Sequence, residues 1–153
     1  MSSIFSIVGS ALSAQNDRMS VIASNLANVG SVAPPGVAPY RAHEVVFQAA
    51  PVSDGEVAEG DGTASDVDND GTGPSALGVQ VVGTVLSNAP VMQKYDPGSP
   101  YANSNGYVTG SNVSQVGQMV DLINTSNSYA ASVAVLQQAD HVDQQMLSSF
   151  QVS

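Results

Sequence analysis

Residues 5–29 read Phe-Ser-Ile-Val-Gly-Ser-Ala-Leu-Ser-Ala-Gln-Asn-Asp-Arg-Met-Ser-Val-Ile-Ala-Ser-Asn-Leu-Ala-Asn-Val. Phe5, Val8, Leu12, Gln15, Met19, Ile22, Leu26 and Val29 fall alternately three and four residues apart. That is an unbroken heptad seam, and Gln15 is its only polar member. The residues between are mostly Ser, Ala, Asn and Gln. The spacing predicts one amphipathic helix over roughly residues 3–28. Gly30, Pro34, Pro35 and Gly36 then stop it, because proline lacks the amide donor and glycine favours non-helical turns.

A second long helix is expected at the other end, over residues 111–153, with Ser111 or Asn112 as its cap. Met119, Leu122, Ser126, Tyr129, Val133 and Leu136 give a second seam, which drifts to Ala139, Val142, Met146 and Phe150. No Pro or Gly interrupts residues 118–153. A helix of about 38 residues would span about 57 Å, longer than a compact domain of this size is wide. An elongated helical pair, joined as a coiled coil with both ends of the chain together, follows.

Between the helices the period changes. Tyr40–Phe47 and Leu77–Leu86 are valine-rich and alternate loosely, as strands do, and Val91–Tyr95 suggests a third. Tyr95-Asp96-Pro97-Gly98-Ser99-Pro100 is a turn, since neither proline can donate to a ladder. Residues 51–76 hold 7 of the 13 acids, no base and no aromatic. Such a stretch lacks the apolar area to offset its ordering entropy, so an exposed acidic loop is expected. The fold class is therefore mainly α with a small β section. It divides into an N-terminal helix (1–30), a β-rich middle (31–50 and 77–110), the acidic loop (51–76) and a C-terminal helix (111–153).

The composition narrows the function. Three Lys and Arg among 153 residues, with net charge -10, cannot neutralise a run of phosphates, which argues against a nucleic-acid partner. Only 10% of residues are charged, against about 25% in ordinary soluble domains. Polarity comes from 22 Ser, 11 Gln and 10 Asn instead. Such a surface repels its neighbours weakly and hydrogen-bonds readily, which suits a subunit covered by other subunits. There is no Cys, so disulfides and thiolate metal sites are excluded. No run of about 18 apolar residues predicts a membrane span. No basic residue precedes Arg18, so a cleaved secretory signal is not expected.

Candidate chemistry is thin. Asp66-Val67-Asp68-Asn69-Asp70-Gly71 resembles the first half of an EF-hand loop, but position 12, where the bidentate Glu belongs, is Leu77. A secreted calcium-binding module using this loop is the alternative reading. His43 and His141 are the only histidines, with no third ligand spaced for a metal site. No Gly-x-Ser-x-Gly elbow and no phosphate loop is present. No enzyme, cofactor or metal is expected.

Arg18-Met19-Ser20-Val21-Ile22-Ala23-Ser24-Asn25-Leu26-Ala27-Asn28 resembles the N-terminal signature of the bacterial flagellar rod and hook axial proteins. The Ala23–Asn28 core is specific to that family. Pro39-Tyr40-Arg41, Val45-Val46-Phe47, the Tyr95–Pro100 turn, Gly106-Tyr107-Val108, Asn112-Val113, Met119-Val120-Asp121 and Ser128-Tyr129 are similar to its short proximal-rod members. The chain departs from them at Gln118, where an acid is usual, and at Asn127, where Arg is usual. The resemblance implies a non-catalytic subunit of the proximal rod, spanning the periplasm and exported uncleaved by the flagellar type III apparatus. Its implied partners are copies of itself, other proximal and distal rod proteins, the export-gate and MS-ring adaptor, and the surrounding rings. The implied assembly interface is Phe5, Val8, Leu12, Met19, Ile22, Asn25, Leu26 and Asn28 on the first helix. On the second it is Met119, Leu122, Tyr129, Val133, Leu136 and Met146.

Overall fold

The computed structural model describes residues 2–51 and 77–150. Two helices, α1 (Ser2–Ala27) and α2 (Gln115–Phe150), hold half of these residues. Between them run β1 (Val32–Ala33), β2 (His43–Pro51), β3 (Leu77–Leu86), β4 (Gln93–Tyr95) and β5 (Tyr107–Gly110). The EF-hand-like residues 66–71 and nearly all of the acidic stretch lie outside the described residues.

α1 forms where the heptad places it. Val8 and Ile22 are buried, and Phe5, Leu12, Gln15, Met19 and Leu26 are half-buried. The helix closes through Asn28, whose amide N–H is shared between the carbonyls of Ser24 and Asn25. The Asn28 side chain also donates to Ser24 O at 2.9 Å. These bonds satisfy last-turn carbonyls that would otherwise lack a partner.

α2 packs antiparallel along α1. Asn25, near the end of α1, bonds Gln118 near the start of α2. At the other end Ile4 and Phe5 share a groove with Val135 and Val142. The start of α2 differs from expectation. The cap is Ser114: its Oγ accepts from Gly117 N at 3.3 Å, and its carbonyl accepts from Gln118 N. Asn112 cannot serve, because its amide holds three other groups. It accepts from Ala42 N at 2.7 Å and donates to the carbonyls of Ser87 and Ala89. Ser111 Oγ accepts from Val113 N instead.

The face that α2 turns toward α1 is also shifted from the one expected. Gln118, Leu122, Tyr129, Ser132, Leu136 and Ala139 are half-buried and Thr125 is 1% exposed. Met119 and Ser126, expected on that seam, are exposed, one residue away from Gln118 and Thr125. Val133 is half-buried beside Ser132. A polar side chain can occupy the centre because Thr125 Oγ1 donates to Asp121 O at 2.7 Å, which leaves it no unmet donor.

β2 and β3 form a two-stranded antiparallel sheet lying on α1. Its register shifts by one between Val46 and Phe47, paired with Gly83 and Val81, so Val82 bulges out unpaired. Val79 N donates to Ser10 Oγ at 3.1 Å and fixes the far end of this ribbon. β1, β5 and β4 make the second sheet, in that order and antiparallel throughout. The turn from β4 to β5 follows the predicted Tyr95–Pro100 turn from Asp96 onward, Tyr95 itself being the last residue of β4. It ends at Gly106, whose φ of 78° and contact with Tyr95 require glycine.

The Asn25 junction and the uncovered face of the second helix

The family-like Ala23–Asn28 core builds one junction. Asn25 is 1% exposed, and its amide is bonded at all four positions. Oδ1 accepts from His43 N at 2.9 Å and from the Tyr40 hydroxyl at 3.0 Å. Nδ2 donates to His43 O at 2.8 Å and to Gln118 Oε1 at 3.0 Å. The His43 backbone settles which end of the amide is which, because an N–H can only donate and a C=O can only accept. One side chain thus ties α1, the entry to β2 and the first turn of α2. Gln118 supplies the acceptor that completes the junction from the second helix.

The histidines do not meet. His43 sits in this junction with Nδ1 3.2 Å from the Tyr40 hydroxyl, whereas His141 is exposed far along α2. Among the described residues no cluster of His, Cys, Asp or Glu could hold a metal ion. Nor is any helix among them long and apolar enough to cross a membrane. Beside the junction a cleft of about 340 Å³ is lined by Arg18, Ile22, Glu44, Phe47 and Asp121, among others. The Arg18–Asp121 contact across it is loose, at 3.9 Å, with both side chains over a third exposed.

The seam contains one group without a partner: Gln15 Oε1 is buried and unbonded. Sequence spacing located Gln15 but carried no sign of which polar seam residue would be satisfied.

The outer face of α2 is the second feature. The described core consists of Val8, Ala14, Ile22, Ala33, Ala42, Val108 and Val113, none of it from α2. Thr125 is the only buried residue of that helix among those described. Val116 (73%), Val120 and Ile123 (60%) are exposed on the side away from Gln118, Leu122 and Thr125. Met119, Val135, Val142, Met146 and Leu147 are exposed as well.

Known proteins match this chain along both helices. Residues 6–30 match the family described as flagella basal body rod protein. Residues 104–149 match the C-terminal family of the flagellar basal body rod FlgEFG proteins. The flagellar basal-body rod protein FlgC of Salmonella typhimurium is 44% identical over 133 residues, covering 87% of this chain and 85% of that protein. The chain belongs to the FlgC family of flagellar basal-body rod proteins. FlgC of Buchnera aphidicola from Schizaphis graminum is 34% identical over 95% of the chain and 94% of its own length. FlgC of Bacillus subtilis is 33% identical over 85% of each. FlgC-family chains are structural components of the rod, so this one is not an enzyme. The two family segments contain Asn25, Gln118 and the exposed row of α2, while Tyr40 and His43 lie between them.

Proposed function

We propose that the chain is a structural subunit of the flagellar proximal rod. It polymerises through its terminal helices into the shaft that carries torque across the periplasm. The observation that carries this reading is α2. It has 36 residues and no buried apolar side chain among those described, while Val116, Val120 and Ile123 stand exposed on its outer side. Most helical stability in proteins comes from packing an apolar face. An apolar face left open among the described residues is completed by copies of the subunit and by other rod proteins. In the assembled rod α1 and α2 pair as a coiled coil in the inner layer. Met119 and Met146 belong to the surface between subunits. Val8, Ile22 and Asn25, buried within the chain, act by shaping the subunit that presents it. The remaining partners are the export-gate and MS-ring adaptor, the surrounding rings and the type III export apparatus, which passes the chain without cleavage.

Ile123→Asp tests the reading. A carboxylate at an exposed site should leave the folded chain and its secretion unchanged, and abolish its incorporation into purified basal bodies. Normal incorporation of this variant would refute the use of the outer face of α2.

A further inference from the structure

Asn105-Gly106 is the one Asn-Gly step in the chain. Such a step is the most open to spontaneous deamidation, because glycine has no Cβ to keep its amide nitrogen away from the preceding asparagine side chain. The fold admits no other residue at 106: its φ is 78°, and an added Cβ would meet Tyr95 Cε2 at 2.9 Å. Asn105 is exposed, so water reaches its amide. One neighbour holds the segment. Gly106 N donates to Asn103 O at 2.9 Å, and Asn103 N donates to Tyr107 O at 2.9 Å. Asn103 Oδ1 accepts from Asn105 N at 2.9 Å and from Tyr107 N at 3.0 Å. Across the turn, the Gly106 carbonyl accepts from Asp96 N at 2.9 Å.

We infer that Asn105 is a deamidation site that the folded 103–107 turn holds closed, with Asn103 as the positioning residue that closes it. In the reaction the Gly106 amide nitrogen gives up its proton and attacks Asn105 Cγ. The N–Cγ bond forms, the Cγ–Nδ2 bond breaks, and Nδ2 takes a proton and leaves as ammonia. Water then opens the succinimide ring at either carbonyl, which leaves aspartate or isoaspartate at 105. Water is the sole co-reactant. In the folded chain the proton that must leave is held by Asn103 O. The peptide units on both sides of Asn105 are pinned to Asn103, so they cannot rotate to bring the nitrogen over Cγ. Conversion therefore proceeds through opening of the turn, and its rate follows the population of the open form. The inference concerns the single chain and does not depend on the rod assignment.

The full chain, incubated at neutral pH in native buffer and in urea, tests this, with conversion at Asn105 and its isoaspartate share followed by peptide mass spectrometry. The wild type should convert at least about tenfold more slowly in native buffer than in urea, a factor set by the opening equilibrium of the turn. Equal rates overturn the inference. Asn103→Ala removes the acceptor of two of the bonds. It should convert several-fold faster than the wild type in native buffer, with helical circular dichroism unchanged, and at the wild-type rate in urea. A wild-type rate in native buffer, or a difference that persists in urea, overturns the role of Asn103. Asn103→Asp keeps an accepting oxygen at the same place and should convert as slowly as the wild type in native buffer. Fast conversion there overturns the role of Asn103 as well. If Asn103→Ala loses its helices, the wild-type comparison and Asn103→Asp still decide.

Discussion

Ile22→Ala should cost about 2.5 kcal/mol of folding stability. Ile22 is 4% exposed and is one of only seven buried apolar residues among those described. The change removes three carbons, worth about 0.8 kcal/mol each in transfer out of water. A dry cavity would add more and bring the total toward the upper end of the roughly 2–5 kcal/mol range for such truncations. Ile22 also lines the cleft that holds Arg18 and Asp121, so water can enter the vacated space and the added term stays small. Urea denaturation followed by circular dichroism measures the loss. A fall of about 5–10 °C in midpoint temperature should accompany it in a chain of this size. Met146→Ala is the control: it lies at an exposed site and should change stability by less than about 0.5 kcal/mol. An Ile22→Ala cost below about 1 kcal/mol, or equal to that of Met146→Ala, would refute this placement of the α1–α2 contact.

Gln15→Leu should stabilise the chain by about 1–2 kcal/mol, since it removes a buried acceptor without a partner; the same urea titration reads it. Gly106→Ala should destabilise by about 1–3 kcal/mol, because φ is 78° and the added Cβ would sit 2.9 Å from Tyr95 Cε2, and amide exchange should rise first in β4 and β5. Ser114→Ala should cost about 1 kcal/mol through the lost cap, with extra fraying confined to the first turn of α2. Arg18→Met should change stability by less than about 0.5 kcal/mol and remain indifferent to salt, as expected for a loose, exposed pair.

α1 was legible because its heptad row from Phe5 to Leu26 is buried or half-buried throughout, whereas Ala14, buried off that row, carried no such signal. α2 was legible as a helix but not in its orientation. Its apolar residues occupy more than one face, and apolarity alone favoured Met119 where the contact uses Gln118 and Thr125. Both polar residues are accommodated by hydrogen bonds, one of them reaching 93 residues along the chain, and no local spacing encodes such a partner. β3 matches the valine-rich run Leu77–Leu86 residue for residue. β2 starts three residues later than Tyr40 because Asn25 and Asn112 engage Tyr40 and Ala42 before the ladder begins. β1 and β5, with two and four residues, are too short for periodicity to register. The family-like motif drew attention to Asn25 and Asn28. Only the fold distinguishes them, since Asn25 joins three elements while Asn28 closes its own helix.

The distribution of charge bears on whether many copies of such a chain can lie side by side. With net charge -10, close packing of identical subunits would be opposed if the acids were spread evenly. They are not: 7 of the 13 fall in residues 51–76. The helices carry only Asp17, Asp121, Asp140 and Asp143, against Arg18. Two unit charges 4 Å apart in water interact by only about 1 kcal/mol, and salt screens more distant pairs. Repulsion between neighbouring helical pairs is therefore small beside the burial of even one exposed Ile or Val, at about 1.5–3 kcal/mol. The scarcity of charge that made the composition unusual leaves little repulsion to oppose the contact proposed for the apolar outer face of α2.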